Sequence, residues 1–399
     1  MRIYTATPMA VLDETDQDSN FFSRDMGLTC HGLQAAGVES KVVLLDFPGA
    51  KQHPDMIRVT LAQMENEKFW RGLELDAVVL GAWADPEYTP IAKAIEESGA
   101  KVIVRCDSGT AYSQWQRTLK NNLYINYLAP RYYAGKGFLC ACFFSLAKTL
   151  KNYVSNSYIK GLIEHMSYAD LIMNETPEGV RLLKELLCKY GRMDVADRVK
   201  CVLHPVSTVG RYDERVTKEK RIIAVGRWDH YSKNTPMLIK ALAKVLNKHL
   251  DYEAHVFGSG GEVLDRLRQQ LLEAVRNRIH IRGRVLNPEL KKEYQKSRIL
   301  FMPSRSEGCS VAAEEALSLG CSVVGSSHIF CMRNFVSKNS GTLARTYSVS
   351  GMVEALSCEI NAWEQGLRNA GQIAAGWRQE VCLDAVVRTI MSVVDTGSE

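Results

Sequence analysis

Residues 301–326 read FMPSRSEGCSVAAEEALSLGCSVVGS. The apolar start reads as a strand and the segment from Pro303 as a loop. A helix follows from about Ser310, and the apolar run up to Ser326 reads as a second strand. Glu307-Gly308 stands in the loop, and Glu315 follows eight residues later inside the helix. A glycine, a helix N-terminus and two carboxylates thus meet at one strand end. Such a place can hold a phosphate on backbone N–H groups and a polyhydroxyl group on carboxylates. Val311, Ala312, Ala313 and Ala316 are small enough for the helix to pack tightly on a sheet. Glu314 and Glu315 lie about 100° apart on it, so at most one is expected to point squarely into a ligand site. The competing reading is a solvated glutamate pair that stabilises the helix dipole.

Three earlier strand ends carry related signals. Val225-Gly226-Arg227, followed by Lys233, lets the chain turn and supplies two cations near a helix start, about the charge a pyrophosphate needs without a metal. Two solvated surface cations are the alternative. Gly258-Ser259-Gly260 closes another strand and permits close backbone approach, although many such turns are glycine-rich for conformation alone. Gly283-Arg284 closes a third, where a flat base could lie along the backbone; a plain turn explains it equally.

Strand and helix patterns alternate along most of the chain, which argues for an α/β protein with parallel sheets covered by helices. At 399 residues there is room for two domains. The first is expected over 1–208 and the second over 221–375. The polar segment 209–220 is read as their linker, and a C-terminal helix of about 376–399 as packing back onto the first domain. The helices expected in the first half are Phe21–Ala36, Ile91–Glu97, Tyr158–Tyr168 and Pro177–Tyr190. In the second half they are Thr235–Leu246, Val263–Ala274, Pro288–Lys296 and a last one over about Ile373–Val394. Two α/β halves leave an interdomain cleft, a common place for a ligand.

Composition narrows the class. Hydrophobic residues make up 46% and charged residues 24%, as in an ordinary globular enzyme. A net charge of +5 is too small to argue for nucleic acid. The eleven cysteines are irregularly spaced without a C-x-x-C pair, so reduced thiols in a cytosol are expected. The start MRIYTATP reads as a strand rather than a signal peptide, and no apolar run reaches the ~18 residues of a spanning helix. Asp16-Gln17-Asp18 spells D-x-D but sits in an N-terminal loop with no supporting pattern. The histidines are scattered, so no metal site is assigned.

Taken in order, Gly226-Arg227, Lys233, Gly258-Ser259-Gly260, Gly283, Pro303-Ser304, Glu307 and Glu315 resemble the donor domain of retaining glycosyltransferases of family 4, the group 1 glycosyl transferases. The resemblance implies a GT-B fold: two Rossmann-like domains with parallel sheets facing across a cleft. It implies retaining transfer of a sugar from a nucleotide-diphosphate sugar to an acceptor hydroxyl, with neither metal nor cofactor. Arg227 and Lys233 would grip the pyrophosphate, Glu307 would face the donor sugar, and Glu315 would accept from the ribose hydroxyls. The amides from Gly308 through Cys309 and Ser310 to Val311 would bind phosphate or sugar oxygens, with Gly226, Gly258, Gly260, Gly283 and Arg284 lining the donor site. Cys309 stands where an aromatic is more usual. The first half matches only by architecture: it has Cys106-Asp107 where the family often has His-Asp, so Asp107 is the candidate for acceptor binding or base. A GT-B epimerase, a phosphorylase, or a degenerate glycan- or lipid-binding module are the alternatives.

Between Asp107 and Glu164 the chain has no acidic residue, whereas its own average of 45 in 399 would place about six there. The same stretch holds seven Lys/Arg, seven tyrosines and the apolar run Gly137–Ala147. Two readings stand side by side. In one, residues 117–160 contact an anionic membrane at its inner face or an anionic, lipid-linked acceptor. In the other, the run is a buried helix with basic flanks. The expected partners are therefore a nucleotide sugar and a glycan, lipid-linked or other hydroxyl acceptor, without nucleic acid, in a cytoplasmic protein.

Overall fold

The computed structural model describes residues 1–9, 11, 21–23, 25–81, 86–106, 119, 123, 137–154, 157–206, 212–380 and 383–395. Contacts divide them into two units, the first drawn from 1–15, 30–202 and 388–399, the second from 16–29 and 203–387.

The first unit is built on a seven-stranded sheet: β1 (Ile3–Thr7), β2 (Val42–Leu45), β3 (Met56–Val59), β4 (Ala77–Leu80), β5 (Lys101–Cys106), β6 (Leu171–Asn174) and β7 (Val199–Cys201). Their spatial order is β3-β2-β1-β4-β5-β6-β7 with every pairing parallel. Parallel strands covered on both faces favour apolar residues throughout, as in Ala77–Leu80 and residues 171–173 of β6, all buried; the buried Asn174 that ends β6 accepts from the Thr176 amide at 3.3 Å. Helices cover the sheet, among them Thr89–Glu97, started by Pro90, and Pro177–Lys189, capped by the Thr176 hydroxyl. Trp70 is wholly buried in this core and donates its indole N–H to Met64 O at 2.7 Å.

The second unit repeats the plan with six strands: β8 (Glu219–Val225), β9 (Glu253–Phe257), β10 (Ile279–Gly283), β11 (Ser297–Phe301), β12 (Ser322–Ser326) and β13 (Gly341–Ala344). The order is β10-β9-β8-β11-β12-β13, again all parallel. One apolar cluster fills each face: Leu242, Tyr252 and Leu356 belong to one, Tyr294, Leu317 and Met332 to the other. The strand order reverses direction between β8 and β11. In open α/β sheets a ligand sits at the carboxyl ends beside that reversal.

Several elements differ from the sequence reading. Strand β3 and the short helices Leu61–Met64 and Glu67–Arg71 were not expected, being too short to show a period. Each helix is started by a side-chain cap, Thr60 with Gln63 in a capping box and Asn66 on the Lys68 amide. The helix Phe330–Phe335, strand β13 and the helix Val349–Glu364 were also unread. The expected helix Val263–Ala274 is instead Gly261–Arg268 followed by Glu273–Arg276. The last helix is two, Ala370–Glu380 and Leu383–Asp395. The charged segment before β8 does not stay free to its end, because β8 begins at Glu219. Just ahead of it, half-buried Lys218 donates to Tyr294 O and Leu319 O, both at 2.9 Å. Burial pushes its pKa down. The core-helix reading of Gly137–Ala147 fails: Leu139 is 83% and Phe143 70% exposed on the helix Phe138–Val154. Among the described residues no helix is long and apolar enough to cross a membrane.

Candidate functional site

Three neighbouring strand ends are laced together by glycines. Gly258 follows β9 with φ +118°, and a Cβ there would lie 1.8 Å from Gly226 O. Only glycine lets the two backbones pass so closely. The Gly226 amide donates to Phe257 O at 3.1 Å, and the Gly258 amide to Gly283 O at 2.8 Å. Gly260 has φ +84°, and a Cβ on it would press on the Asp229 amide at 2.4 Å. Trp228 closes the lacing: it is buried, donates its amide to Ser259 O at 3.0 Å and its indole N–H to Phe257 O at 2.8 Å. The sequence reading left the Gly258 and Gly283 turns undecided between ligand approach and conformation. At Gly258 conformation suffices as a reason, since the clash is with protein. Gly283 (φ +70°) has open space where a Cβ would be.

From this platform the loop after β8 carries Arg227, exposed, and Lys233, mostly buried at the end of a 3-10 turn, Tyr231–Lys233. The loop after β11 carries Glu307. Lys233 Nζ lies 2.6 Å from Glu307 Oε1, with the carboxylate side chain only 9% exposed. The two loops are tied by backbone as well, the Arg305 amide donating to Ser232 O at 2.6 Å. Asn234, held in the left-handed region at φ +54°, donates its amide to Tyr347 Oη at 2.7 Å. Tyr347 in turn donates to Pro303 O at 3.0 Å. His328 donates its Nε2–H to Arg305 O at 2.9 Å and accepts the Ser326 hydroxyl on Nδ1, which fixes its tautomer. Tyr347, His328 and Asn234 were missed in the sequence because their role is to brace the loop, and no local pattern marks that.

The helix Val311–Ser318 starts at Ser310, whose hydroxyl accepts from the Ala313 amide at 3.3 Å. Gly308, Cys309 and Val311 around it are half-buried. Both glutamates of this helix are buried, Glu314 at 0% and Glu315 at 2% exposure, which corrects the solvated-pair reading. They diverge as the helical angle requires. Glu314 Oε1 accepts from Cys309 Sγ at 3.2 Å, so the unexpected cysteine anchors the loop to its own helix. Glu315 Oε1 accepts from Asn287 Nδ2 at 2.9 Å, while its Oε2 is buried with no hydrogen-bond partner. A buried orphan oxygen is costly unless something fills its place.

His230, also unassigned from sequence, belongs here. Burial, then Arg227 and Lys233, push its pKa below the ordinary histidine value, keeping the ring neutral among cations. Arg284 is exposed just beyond Gly283. Asp107, Asp16 and Asp18 lie outside the described residues. Beside Asp107 in sequence, Arg105 is buried at the end of β5 with Nη2 3.8 Å from Glu175 Oε1. The three-ligand cluster of Glu253, His255 and His280 is the one metal-like grouping found among the described residues, and sequence reading did not bring it together. It lies along β9 and β10 rather than at their carboxyl ends, and Arg221 already bonds Glu253 at 3.2 Å.

Residues 219–360 match the family described as Glycosyl transferases group 1. An uncharacterized glycosyltransferase of Methanocaldococcus jannaschii is 31% identical over 160 residues, 40% of this chain and 35% of that protein. The poly(glycerol-phosphate) alpha-glucosyltransferase of Bacillus subtilis is 26% identical over 126 residues, 31% of this chain and 18% of that protein. The matched region thus spans about a third of one relative and under a fifth of the other. Among solved structures, Anabaena HepE in complex with UDP has a TM-score of 0.67 at 13% identity, covering 99% of this chain and 100% of that one. The lipopolysaccharide outer core galactosyltransferase WaaB in its apo form gives 0.62 at 15%, with full coverage of both chains. At such identities the likeness concerns the fold: the expected α/β class and the GT-B plan of two Rossmann-like domains are met.

Proposed function

We propose that the protein is a glycosyltransferase that moves a sugar from a nucleotide-diphosphate sugar to an acceptor hydroxyl, with retention at the anomeric carbon and without a metal. The observation that carries the reading is the pairing of Lys233 with Glu307 at the β8–β11 reversal, one helix away from the orphaned Oε2 of Glu315. The match of residues 219–360 to the group 1 family supports it, as does the fold shared with glycosyltransferases.

In this reading the nucleotide lies over the laced glycines, with its ribose hydroxyls donating to Glu315 and its pyrophosphate at Arg227 and Lys233. The amides at the start of Val311–Ser318 add donors for phosphate or sugar oxygens. As the bond from the anomeric carbon to the diphosphate oxygen breaks, negative charge collects on the leaving group, and fixed cations stabilise it where it forms. The acceptor oxygen bonds to the anomeric carbon on the same face, and its proton passes to the departing diphosphate. Glu307, held by Lys233, is placed to accept from the hydroxyls of the transferred sugar. Asp107 is the proposed group for binding or deprotonating the acceptor, which is a glycan, a lipid-linked sugar or another hydroxyl compound.

The test is a thermal-shift screen of nucleotide-diphosphate sugars on the purified chain. A ligand selective for the folded state raises the Tm. The expected result is a rise with at least one nucleoside diphosphate that Glu315→Ala abolishes. No shift with any of them would remove the donor-site assignment. Transfer should then survive EDTA; loss of activity restored only by a divalent ion would overturn the metal-free part.

A further inference from the structure

The helix Asn287–Lys296 opens on the segment that leaves β10 at Gly283. Asparagine at a helix start ordinarily spends its side chain on the free amides of its own helix. Here Leu286 holds the capping position, and no side chain caps the helix. Pro288 starts the first turn instead, with its φ fixed and no N–H to satisfy. Asn287, only 3% exposed, reaches across to the helix Val311–Ser318, where its Nδ2 donates to Glu315 Oε1 at 2.9 Å.

Glu315 thus receives a neutral donor and no cation. Among the described residues Asn287 is the one hydrogen-bond partner of its carboxylate, and Oε2 has none. A glutamate side chain has several rotatable bonds, and its terminal torsion is broad unless something holds an oxygen. The Asn287 amide holds Oε1 and leaves Oε2 as the acceptor. Because that amide is neutral, the carboxylate keeps its charge and the stronger hydrogen bond that an ionised acceptor makes. A guanidinium in the same place would take both oxygens and leave none for a ligand. Asn287 also joins two positions. One short segment carries the β10 turn, where a base is proposed to lie, and the amide that orients the oxygen proposed to meet the ribose.

We infer that Asn287 is a positioning residue for the nucleotide. It pins Oε1 of Glu315 so that Oε2 accepts from the vicinal hydroxyls of a ribose, and it thereby sets a preference for a ribonucleoside diphosphate over its deoxy counterparts. The inference rests on the donor-site reading of the second unit. It adds that Glu315 distinguishes ribose only while Asn287 holds it.

Isothermal titration calorimetry of the full chain tests this with UDP, GDP, ADP and CDP and with the 2′,3′-dideoxy form of each. The wild type should bind at least one ribonucleotide, and its dideoxy form about tenfold more weakly, as for the loss of a hydrogen bond to a charged group. Asn287→Ala should weaken the ribonucleotide by about the same factor and leave the dideoxy form unchanged, so that the discrimination disappears. Asn287→Leu, which fills the space without a donor, should do the same and keeps the test decisive if the alanine variant fails to fold. Adding Glu315→Ala to either should weaken binding no further than Glu315→Ala alone, because the two residues act as one unit. A merely structural Asn287 would weaken both forms alike. That outcome, or wild-type discrimination in the variants, would overturn the inference and leave the donor site standing. Equal binding of both forms by the wild type would overturn it too. If none of the diphosphates bound the wild type, the donor-site reading itself would fall, and this inference with it.

Discussion

Lys233 and Glu307, 74 residues apart in the chain, meet with Nζ 2.6 Å from Oε1 where the loops after β8 and β11 face each other. Both side chains are largely withdrawn from water. The pair holds a cation and a carboxylate in fixed positions, which under the proposed function leaves little reorganisation for the transfer. Lys233→Ala should lower transfer by about 10²–10³-fold, the usual cost of losing one fixed donor to a developing anion. Glu307→Gln should keep nucleotide binding while reducing turnover. Steady-state kinetics with a donor from the thermal-shift screen checks both, and near-normal turnover of Lys233→Ala would refute the role.

Two glycine substitutions separate clash from dihedral strain. Gly283 has φ +70° and open space around a Cβ, so Gly283→Ala should cost only the roughly 1–2 kcal/mol of a left-handed alanine. Gly258→Ala adds an overlap at 1.8 Å with the Gly226 carbonyl, which backbone cannot easily relieve. It should destabilise the second unit by well over that amount, or prevent folding. Urea denaturation of the two variants checks the order.

Arg368 and Glu359 form a two-bond pair, Nε to Oε1 at 2.6 Å and Nη2 to Oε2 at 2.8 Å, with Glu359 wholly buried. Thr342 Oγ1 donates to the same carboxylate at 2.6 Å. Arg368→Ala strands that charge and should cost about 3–5 kcal/mol. Adding Glu359→Leu should recover most of the loss, because the buried charge disappears with its partner. A double-mutant cycle in denaturant measures the difference.

Acid should loosen the second unit through His255. Burial first, and then Arg221, hold its pKa at about 4, below the ordinary 6.5. Glu253, Arg282 and His280 also face it, and Glu253 itself sits below the usual carboxylate value. A folded-state pKa that is depressed means the unfolded chain takes up the proton first. Stability is therefore complete above about pH 6.5 and is lost progressively as pH falls towards 4. Melting curves at pH 7 and pH 5 should show the fall, and His255→Gln should flatten it. An unchanged pH dependence in that variant would place the acid sensitivity elsewhere.

The strand–helix alternation was legible because fully covered parallel strands read as near-continuous apolar runs, as in β4 and the first three residues of β6. Gly258, Gly260 and Gly283 were legible because a left-handed turn at a strand end admits little else. Strand β3 was not, since four residues with two half-exposed members leave no period to read. The Glu314–Glu315 pair was half legible. Its angular separation follows from the helix, but the partners that receive the two carboxylates do not: Cys309 folds back from the preceding loop onto Glu314, and Asn287 reaches Glu315 from 28 residues away. The outward stripe on Phe138–Val154 had two readings of equal standing in the sequence, because an apolar run of that length fits a core as well as an interface.

The sequence by itself determined the α/β class and the strand ends at which glycines, cations and carboxylates gather. Those follow from local periodicity and backbone conformation, which nearby residues dictate. Tertiary structure alone decided that Lys233 pairs with Glu307, that Tyr347 and His328 brace the loop, that Glu315 keeps an orphaned oxygen, and that Phe143 faces out. Each of these depends on which distant segment comes to lie beside the residue, and that is settled only when the sheets assemble and exclude water.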